Sequence, residues 1–472
     1  MTNRINMNIM KTKITLLTFL FAFLSVGFVA IDAQSQEEDM AKLSIMSEYA
    51  KAKNYEAAYK PFTELWASNP KFNRAVYVYG EKILDYKIDK TTGEEKKGFI
   101  SDLMKLWEDR ATHFASKTPQ GEYGAKACQL MFDNKEVLGK TDAELYDCFD
   151  AAYTADKKSF KNPKSLYTYF YLMVKLYDAG KKPAKDLFNK YDDVVEKIEE
   201  EVQIASVKLN KLAEKEEVGT PLTSKDKRYQ KYYGQILNAF DQISGSVDTQ
   251  LGGRANCENL IPLYSKDFDA HATDGVWLKR AVSRMYNKEC TDDPLYEKLV
   301  KAYDAAAPSA DTKYFVATIL LKNGKTSEAE QYLKQSYDLE TDTFKKGKLA
   351  NRIGLILKKK GRYGQARNYF RDALKLNPSN GRPHLSIAAM YAASAKNCGD
   401  TNFNKRAVYW YAAQEARKAS RVDPTLKKAA AQSAANYSAK APQKTEIFQA
   451  GNSGQQIKIG CWIGGTVTVP KV

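Results

Sequence analysis

The sequence has few histidines and none of the short motifs that carry common enzymatic chemistry. Its three histidines, His113, His271 and His384, are isolated, and no two stand at the spacing of a metal-binding pair. No Walker-type loop, dinucleotide fingerprint or Gly-x-Ser-x-Gly turn occurs, and "GNSGQQ" at 451–456 lacks the strand-to-helix setting of a phosphate loop. We therefore expect no catalytic residue, no metal site and no cofactor, and predict that the protein is not an enzyme.

Acidic clusters are present, but each has an explanation other than catalysis. Asp292 and Asp293 stand before Pro294 in "TDDP", a typical helix start in which Thr291 or Asp292 caps free amides. The stretch "DDVVEKIEEE" at 192–201 is interpreted as a solvated face of a charged helix. Neither pattern predicts a general acid and base.

A hydrophobic run near the N-terminus predicts export. Lys11 and Lys13 precede apolar residues 14–30, and Ala33 provides a small residue for cleavage. This order is typical of a secretory signal peptide, here residues 1–33, although an N-terminal membrane anchor is the open alternative because about 17 apolar residues is close to the spanning minimum. We expect an exported protein of the periplasm, with association with the outer membrane as a further expectation.

Basic residues outnumber acidic ones, 73 to 57, for a formal net charge of +16. Such a surface can meet nucleic acid, anionic lipid headgroups, acidic glycans or acidic proteins. Because export separates the protein from nucleic acid, we expect no nucleic-acid partner and keep peripheral contact with a membrane surface among the expected interactions.

The six cysteines contain no Cys-x-x-Cys pair, which favours structural disulfides over metal ligation. Six cysteines allow about 15 pairings, and buried free thiols are the alternative. Order along the chain favours local pairs, namely Cys257 with Cys290, Cys398 with Cys461, and Cys128 with Cys148.

Two segments, 319–340 and 355–378, repeat one pattern with an offset of 37 residues. The pattern predicts two short helices in which small residues let the neighbouring helix approach a large one. The aligned pairs are Gly324 with Gly361, Ala329 with Ala366, Leu333 with Phe370, and Ser336 with Ala373.

At these positions the sequence resembles the tetratricopeptide repeat, a 34-residue helix-turn-helix unit. In the strongest unit the matching residues are Gly354, Leu357, Gly361, Tyr363, Ala366, Phe370, Ala373 and Pro378. A second unit near residues 39–70 offers Tyr49, Tyr55, Ala58, Phe62, Leu65 and Pro70. The resemblance implies an all-α, tetratricopeptide-like helical repeat solenoid in two arms, with a small C-terminal β-hairpin.

The chain as a whole is similar to exported tetratricopeptide-repeat proteins of the Bacteroidota type, most of them without an assigned function. That resemblance implies an envelope location and a binding role. It rests on the segments 99–115, 257–299, 406–424 and 459–465.

Breaks around Gly219 and Pro221, and around "SGSVDTQLGGRANC", suggest the domain boundaries. The predicted ranges are a signal peptide at 1–33, an N-terminal repeat domain at 34–218, a linker with one helix at 219–256, a C-terminal repeat domain at 257–443 and a hairpin cap at 444–472.

The stretch from Thr343 to Arg371 contains basic residues and no acidic one. We interpret it as a candidate binding patch for an acidic peptide tail or anionic headgroups, with an ordinary solvated face as the alternative. The candidate residues are Arg352, Lys359, Arg362, Arg367 and Arg371.

The C-terminal "IKIGCWIGGTVTVPKV" alternates apolar and other residues and predicts a β-hairpin. We expect a first strand from Ile457 to Ile463 and a two-residue turn at Gly464 and Gly465. The hairpin either caps the terminal helices, tied down by Cys461, or offers an edge strand to a partner.

Together these features predict a non-enzymatic, exported scaffold that binds a protein or an extended peptide in the cell envelope, since helical solenoids expose long binding surfaces. A carbohydrate-binding protein of an outer-membrane uptake system is the alternative.

Overall fold

The computed structural model describes residues 36–472 except Val218, so the expected signal peptide lies outside the described residues. Contacts within the chain define two compact units, one ending at Leu172 and the other running from Met173 to Val472.

Helix α1 is described over 36–51. The following helices are α2 Tyr55–Ser68, α3 Ala75–Lys90, α4 Gly93–His113, α5 Gln120–Asp133, α6 Lys135–Leu138, α7 Asp142–Ala155, α8 Pro163–Asp178, α9 Ala184–Glu217, α10 Ser224–Leu251, α11 Cys257–His271, α12 Gly275–Asn287, α13 Pro294–Ala306, α14 Ala310–Lys322, α15 Thr326–Leu339, α16 Thr343–Lys359, α17 Tyr363–Leu376, α18 Arg382–Ser394, α19 Asn402–Val422, α20 Lys427–Lys440 and α21 Lys444–Ala450. A two-stranded sheet of β1 Gln456–Ile459 and β2 Gly465–Thr468 ends the chain.

The core of the first unit is built on the buried stripe of α2. Ala58, Phe62 and Leu65 recur at i, i+4 and i+7, so one face of the helix is apolar, and all three are fully buried. Gly80 of α3 lies against the ring of Phe62, where an added Cβ would come within 2.3 Å of it. The small residue therefore permits the close approach of α2 and α3. A disulfide between Cys128 and Cys148 joins α5 to α7 in the same unit.

The second unit stacks helix pairs, of which α14–α15 and α16–α17 show the repeat most clearly. Gly324 and Gly361 end the first helix of each pair at φ values of 77° and 72°, the left-handed region that favours glycine. Within α16–α17, Gly354 faces the ring of Phe370, and Ala366 is buried on the same face of α17. The predicted all-α helical-repeat fold with a small hairpin is confirmed.

Two further disulfides lie in the second unit. Cys257 at the start of α11 is bonded to Cys290, just before α13, and Cys398 before α19 is bonded to Cys461 after β1. All three pairs in the structure therefore join cysteines that follow one another along the chain.

The domain ranges drawn from the sequence remain a prediction, and the two compact units divide the chain differently. Their boundary lies inside α8, between Leu172 and Met173. The helix expected in a linker at 219–256 is α10, which packs along α9 and buries Phe240 and Val247. Helix α10 is thus part of the second unit and not a separate connection.

The hairpin differs from the expectation in where its first strand ends. Antiparallel pairing stops at Ile459 opposite Gly465, so Cys461, Trp462 and Ile463 lie in the connecting loop and not in a strand. The expected two-residue turn was wrong because Cys461 adopts a φ of 55°, which takes it out of an extended strand. Buried Ile457, Ile459, Ile463, Val467 and Val469 anchor the hairpin.

Candidate functional site

The acidic helix α9 lies against the first helices of successive pairs. Arg280 of α12 donates to Asp193 at 3.1 Å and to Glu196 at 2.8 Å. Deeper in the contact, Arg284 is paired with Asp192, and both side chains are almost inaccessible. Two arginines of α12 thus hold the N-terminal half of α9.

The same contact continues onto α16. Lys348 is 3.0 Å from Glu199, and the amide of Gln203 donates to Asp342 at 3.2 Å. Beyond α17, the backbone N–H of Ser379 donates to the Asn210 side chain at 3.0 Å in a buried position.

Helix α10 follows α9 onto the start of α18. Arg382 donates to Asp241 at 2.8 Å, and Gly234 lies beside Pro424. The side of α12, α16 and α18 that meets α9 and α10 is called the first-helix face below. Helices α9 and α10 form a helical hairpin, and this α9–α10 hairpin occupies much of that face.

A cleft of about 340 Å³ remains between the α9–α10 hairpin and the first-helix face. Its apolar wall comes from α9, α10 and α16, and its polar rim includes residues of α16, of the turn before α18 with the start of that helix, and of the turn after α19. The apolar residues are Ile198, Val202, Leu237, Phe240 and Phe344; the polar ones include Lys348, Asn351, Arg352, Asn380 and Arg382. Such a combination of an apolar floor and a few polar groups is typical of ligand and peptide sites.

Helix α16 carries a row of four residues, of which the first three line the cleft. Lys348, Asn351, Arg352 and Leu355 recur at i, i+3, i+4 and i+7, which places them in one row. Leu355 is an exposed large apolar residue. The row therefore offers a cation, an amide and an apolar side chain in succession.

Arg352 is fixed by its neighbours. Its guanidinium stacks 3.8 Å from the ring centre of Tyr314 and lies 3.9 Å from an oxygen of Asp311. A desolvated cation over an aromatic face is held more firmly than one in water. This packing leaves Arg352 in a defined position on the wall of the cleft.

The structure does not gather the candidate basic residues into one patch. Arg352 lines the cleft, whereas Arg367 donates to the carbonyl of Ile463 and lies 5.2 Å from the indole centre of Trp462. Arg362 is 3.2 Å from Glu330, and Lys359 and Arg371 are exposed at separate places on α16 and α17. Their binding role stays a prediction. Arg367 contacts the loop of the C-terminal β-hairpin and stabilises its position.

The residues of the repeat pattern are structural. Ala58, Phe62, Ala329, Ala366 and Phe370 are fully buried. Gly324 and Gly361 occupy the tight turns described above, and Pro70 and Pro378 lie just after the second helices of their units.

A second concavity, of about 360 Å³, lies in the first unit. Trp66 stands at its wall, and its indole N–H donates to Asp109 at 3.0 Å. Lys105 and His113 add polar groups. The site combines an aromatic ring with a carboxylate, an ammonium group and an imidazole.

The three histidines have separate surroundings. His271 stacks on Trp277 at 4.9 Å, and His384 is 2.6 Å from Glu415, while His113 lines the first-unit concavity. Within the described residues, no group of three metal-ligating side chains comes together. Across the same residues, no helix is both long and apolar enough to cross a membrane.

Sequence reasoning missed the acidic surface of α9. The stretch at 192–201 was expected to be a solvated face. Asp192 instead pairs with Arg284 and Asp193 with Arg280, about 90 positions later in the chain. Lys197 is fully buried between Glu200 and Glu201. No local pattern reports such long-range partners.

A comparison with known families supports the repeat assignment. Residues 347–380, which include most of α16 and all of α17, match the model of the tetratricopeptide repeat. A comparison with curated proteins finds none that matches the chain.

Several solved structures resemble the fold at low identity. The human IFIT1 dimer with PPP-AAAA is 13% identical, with 78% of this chain and 74% of that chain covered at a TM-score of 0.32. A tetratricopeptide repeat protein from Parabacteroides merdae ATCC 43184 is 9% identical, with 66% and 97% covered at 0.24. Yeast Tom70 is 13% identical, with 88% and 83% covered at 0.25. TM-scores of this size carry no argument about what this chain binds.

Proposed function

We propose that this protein is a non-enzymatic, exported scaffold that binds a segment of a protein partner in the cleft between α9, α10 and α16. The observation that carries the proposal is that Lys348, Asn351 and Arg352, on the first helix of the tetratricopeptide repeat, line this cleft together. Repeat solenoids use such surfaces for binding and need no catalytic centre.

The size and chemistry of the cleft define the segment that it fits. A volume of about 340 Å³ accepts a few side chains and not a folded domain. Its cations are balanced by Glu199, Asp241 and Asp423, so the lining has no strong net charge. The matching ligand is a short extended segment with an apolar side chain for Phe240 and Phe344 and a backbone that exchanges hydrogen bonds with Asn351.

Export is the second part of the proposal. The basic and apolar pattern of residues 1–33 and the three disulfides are both typical of proteins that leave the cytoplasm. We propose a periplasmic location, in agreement with the resemblance to exported Bacteroidota proteins. Fractionation combined with the intact mass of the purified protein tests this: a mature chain should begin after Ala33, and a full-length cytoplasmic chain would contradict it.

A bulky side chain in the cleft tests the binding site. Asn351→Trp places a bulky ring in the cleft that Asn351, Phe240 and Phe344 line, so the recovery of partners from envelope extracts should fall. Asn368→Trp, on the exposed surface of α17, is the matched control and should leave recovery unchanged. Equal recovery by the wild type and by Asn351→Trp would remove the cleft from the proposal.

Carbohydrate binding is the second candidate function, favoured by the first-unit concavity. Trp66 offers an aromatic ring beside Asp109, Lys105 and His113, and a sugar needs both a flat apolar surface and hydrogen-bonding groups. Glycan-array binding that disappears in Trp66→Ala, and persists in Asn351→Trp, would support this alternative. Absence of glycan binding by the wild type would reject it.

A further inference from the structure

The first half of α10, before the cleft, exposes tyrosines and cations together. Tyr229 is 45% exposed and Tyr232 is 54% exposed. Lys225, Arg228, Tyr229 and Tyr232 recur at i, i+3, i+4 and i+7, and this spacing places them on one side of the helix. These four residues are called the tyrosine–cation face. The cleft uses α10 only from Leu237 onward.

The charge around the tyrosine–cation face is positive. Exposed Lys227 and Lys231 flank it, and Asp226 is the single acidic residue in 224–235. Asp226 is already engaged, because it accepts hydrogen bonds from Thr223 and lies 3.2 Å from Lys215. No ion pair to Lys227, Arg228 or Lys231 occurs within the described part of the chain. The cations are thus available to an external anion.

Helix α9 repeats this composition in its second half. Ile204 is 46% exposed and Val207 is 37% exposed. Exposed Lys208 and Lys211 complete the same i, i+3, i+4, i+7 row. Helices α9 and α10 therefore both present apolar groups next to lysines. On each helix these groups lie in the half that is farther from the buried Arg284–Asp192 pair.

We propose that the tyrosine–cation face docks on the surface of an anionic phospholipid bilayer. Lysine and arginine near such a surface are attracted to lipid phosphates, and their methylene stems extend along apolar neighbours while the charged ends stay in water. Tyrosine prefers the interface, where its ring meets the acyl boundary and its hydroxyl stays hydrated.

The exposed tyrosines favour a bilayer over a soluble polyanion as the partner of the tyrosine–cation face. A soluble polyanion without bases, sugars or other groups that stack would be attracted by the cations alone and would gain little from exposed aromatic rings. At an interface the rings leave water, so they add an affinity that salt does not screen. Because docking uses Lys225 to Tyr232 and the proposed peptide cleft begins at Leu237, either proposal can fail without the other.

Vesicle flotation with the mature protein tests the proposal. Vesicles of phosphatidylcholine with about one third phosphatidylglycerol, a content at which phosphate attraction is strong, should bind the protein, and pure phosphatidylcholine vesicles should not. Lys225→Glu with Arg228→Glu should weaken binding at least about tenfold, since each lost cation accounts for roughly fivefold. Tyr229→Ser with Tyr232→Ser should weaken it while the net charge stays the same.

The matched control is Arg417→Glu with Arg421→Glu, an exposed i, i+4 pair on α19 that changes the charge equally and lies outside the candidate basic residues at 343–371. It should retain most of the binding, and unchanged circular dichroism should show that each variant is folded. Binding lost equally in the control and in the Lys225/Arg228 variant would overturn the proposal. So would full binding by the tyrosine variant, or wild-type binding to soluble dextran sulfate without binding to anionic vesicles.

Discussion

The guanidinium of Arg367 lies 5.2 Å from the indole centre of Trp462, and its N–H donates to the carbonyl of Ile463. Trp462 also packs between Tyr363 and Tyr391, at 5.5 and 5.6 Å, and donates to the Ser394 hydroxyl at 2.9 Å. The loop of the β-hairpin therefore packs against α17 and α18 through ring stacking, a cation–π contact and a hydrogen bond. An isolated hairpin is marginally stable in water. This contact therefore supports the hairpin together with its buried apolar residues and the disulfide to Cys398.

Truncating the anchor should destabilise the second unit. Trp462→Ala removes the ring from between Tyr363 and Tyr391, and we expect a loss of about 3 kcal/mol in the free energy of unfolding by urea. Phe448→Ala is the control, because Phe448 is 83% exposed and its loss should change stability by about 0.5 kcal/mol or less. Similar effects of the two substitutions would show that the Trp462 contact does not stabilise the unit.

The disulfides should contribute according to the chain that each one closes. Cys398–Cys461 spans 63 positions and Cys128–Cys148 spans 20. In the chain-entropy model, replacing both cysteines with serine costs about 4 kcal/mol for the first and about 3 kcal/mol for the second. A non-reducing peptide map establishes the pairs, and thermal unfolding measures the cost. A larger loss for the shorter loop would contradict this order.

Gly354 tests the packing of the tetratricopeptide repeat. A Cβ at this position would lie 2.7 Å from an edge carbon of the Phe370 ring, so Gly354→Ala should cost about 1 to 3 kcal/mol through overpacking. Gly245→Ala, at an exposed position inside α10 with nothing within 4 Å, should instead stabilise the protein by about 0.5 to 1 kcal/mol through helix propensity. Equal effects of both substitutions in urea unfolding would argue against the tight contact.

The repeat could be predicted from sequence because its contacts are local. Gly354 and Phe370 are close along the chain, and the spacing of small and large residues directly records how α16 meets α17. The structure does not bring the basic residues together because the run spans two helices, so Arg352 on α16 meets Tyr314 whereas Arg367 on α17 meets Trp462. The first-helix face was missed because its partner is α9, far away in sequence. The strand end was missed because an alternating apolar pattern does not report the positive φ that Cys461 adopts.

The buried pair between Arg284 and Asp192 should matter far more than the exposed one between Lys348 and Glu199. Arg284 also donates to the carbonyl of Phe188 at 2.9 Å, so Asp192→Ala leaves a desolvated guanidinium and should cost about 3 to 5 kcal/mol. Glu199→Ala removes a partner from a half-exposed pair and should cost about 1 kcal/mol or less. Urea unfolding of both variants compares them directly, and a cost for Asp192→Ala no larger than for Glu199→Ala would show that α9 is not held by this pair.

The contact between His384 and Glu415 should make the second unit sensitive to acid. Burial by itself would raise the pKa of the Glu415 carboxyl, but hydrogen bonds from His384 and Lys418 outweigh it, and the pKa lies below the ordinary 4.5. A carboxyl with a depressed pKa in the folded state contributes stability above its unfolded pKa and loses it as the pH falls through the folded value. The free energy of unfolding should therefore drop as the pH is lowered from about 5, near the ordinary glutamate value, and Glu415→Gln should flatten that drop.

Glu214→Gln, at an exposed position on α9, should leave the profile of the wild type unchanged. Identical pH profiles for the wild type and Glu415→Gln, measured by urea unfolding at a series of pH values, would show that the His384 contact does not stabilise the ionised carboxyl.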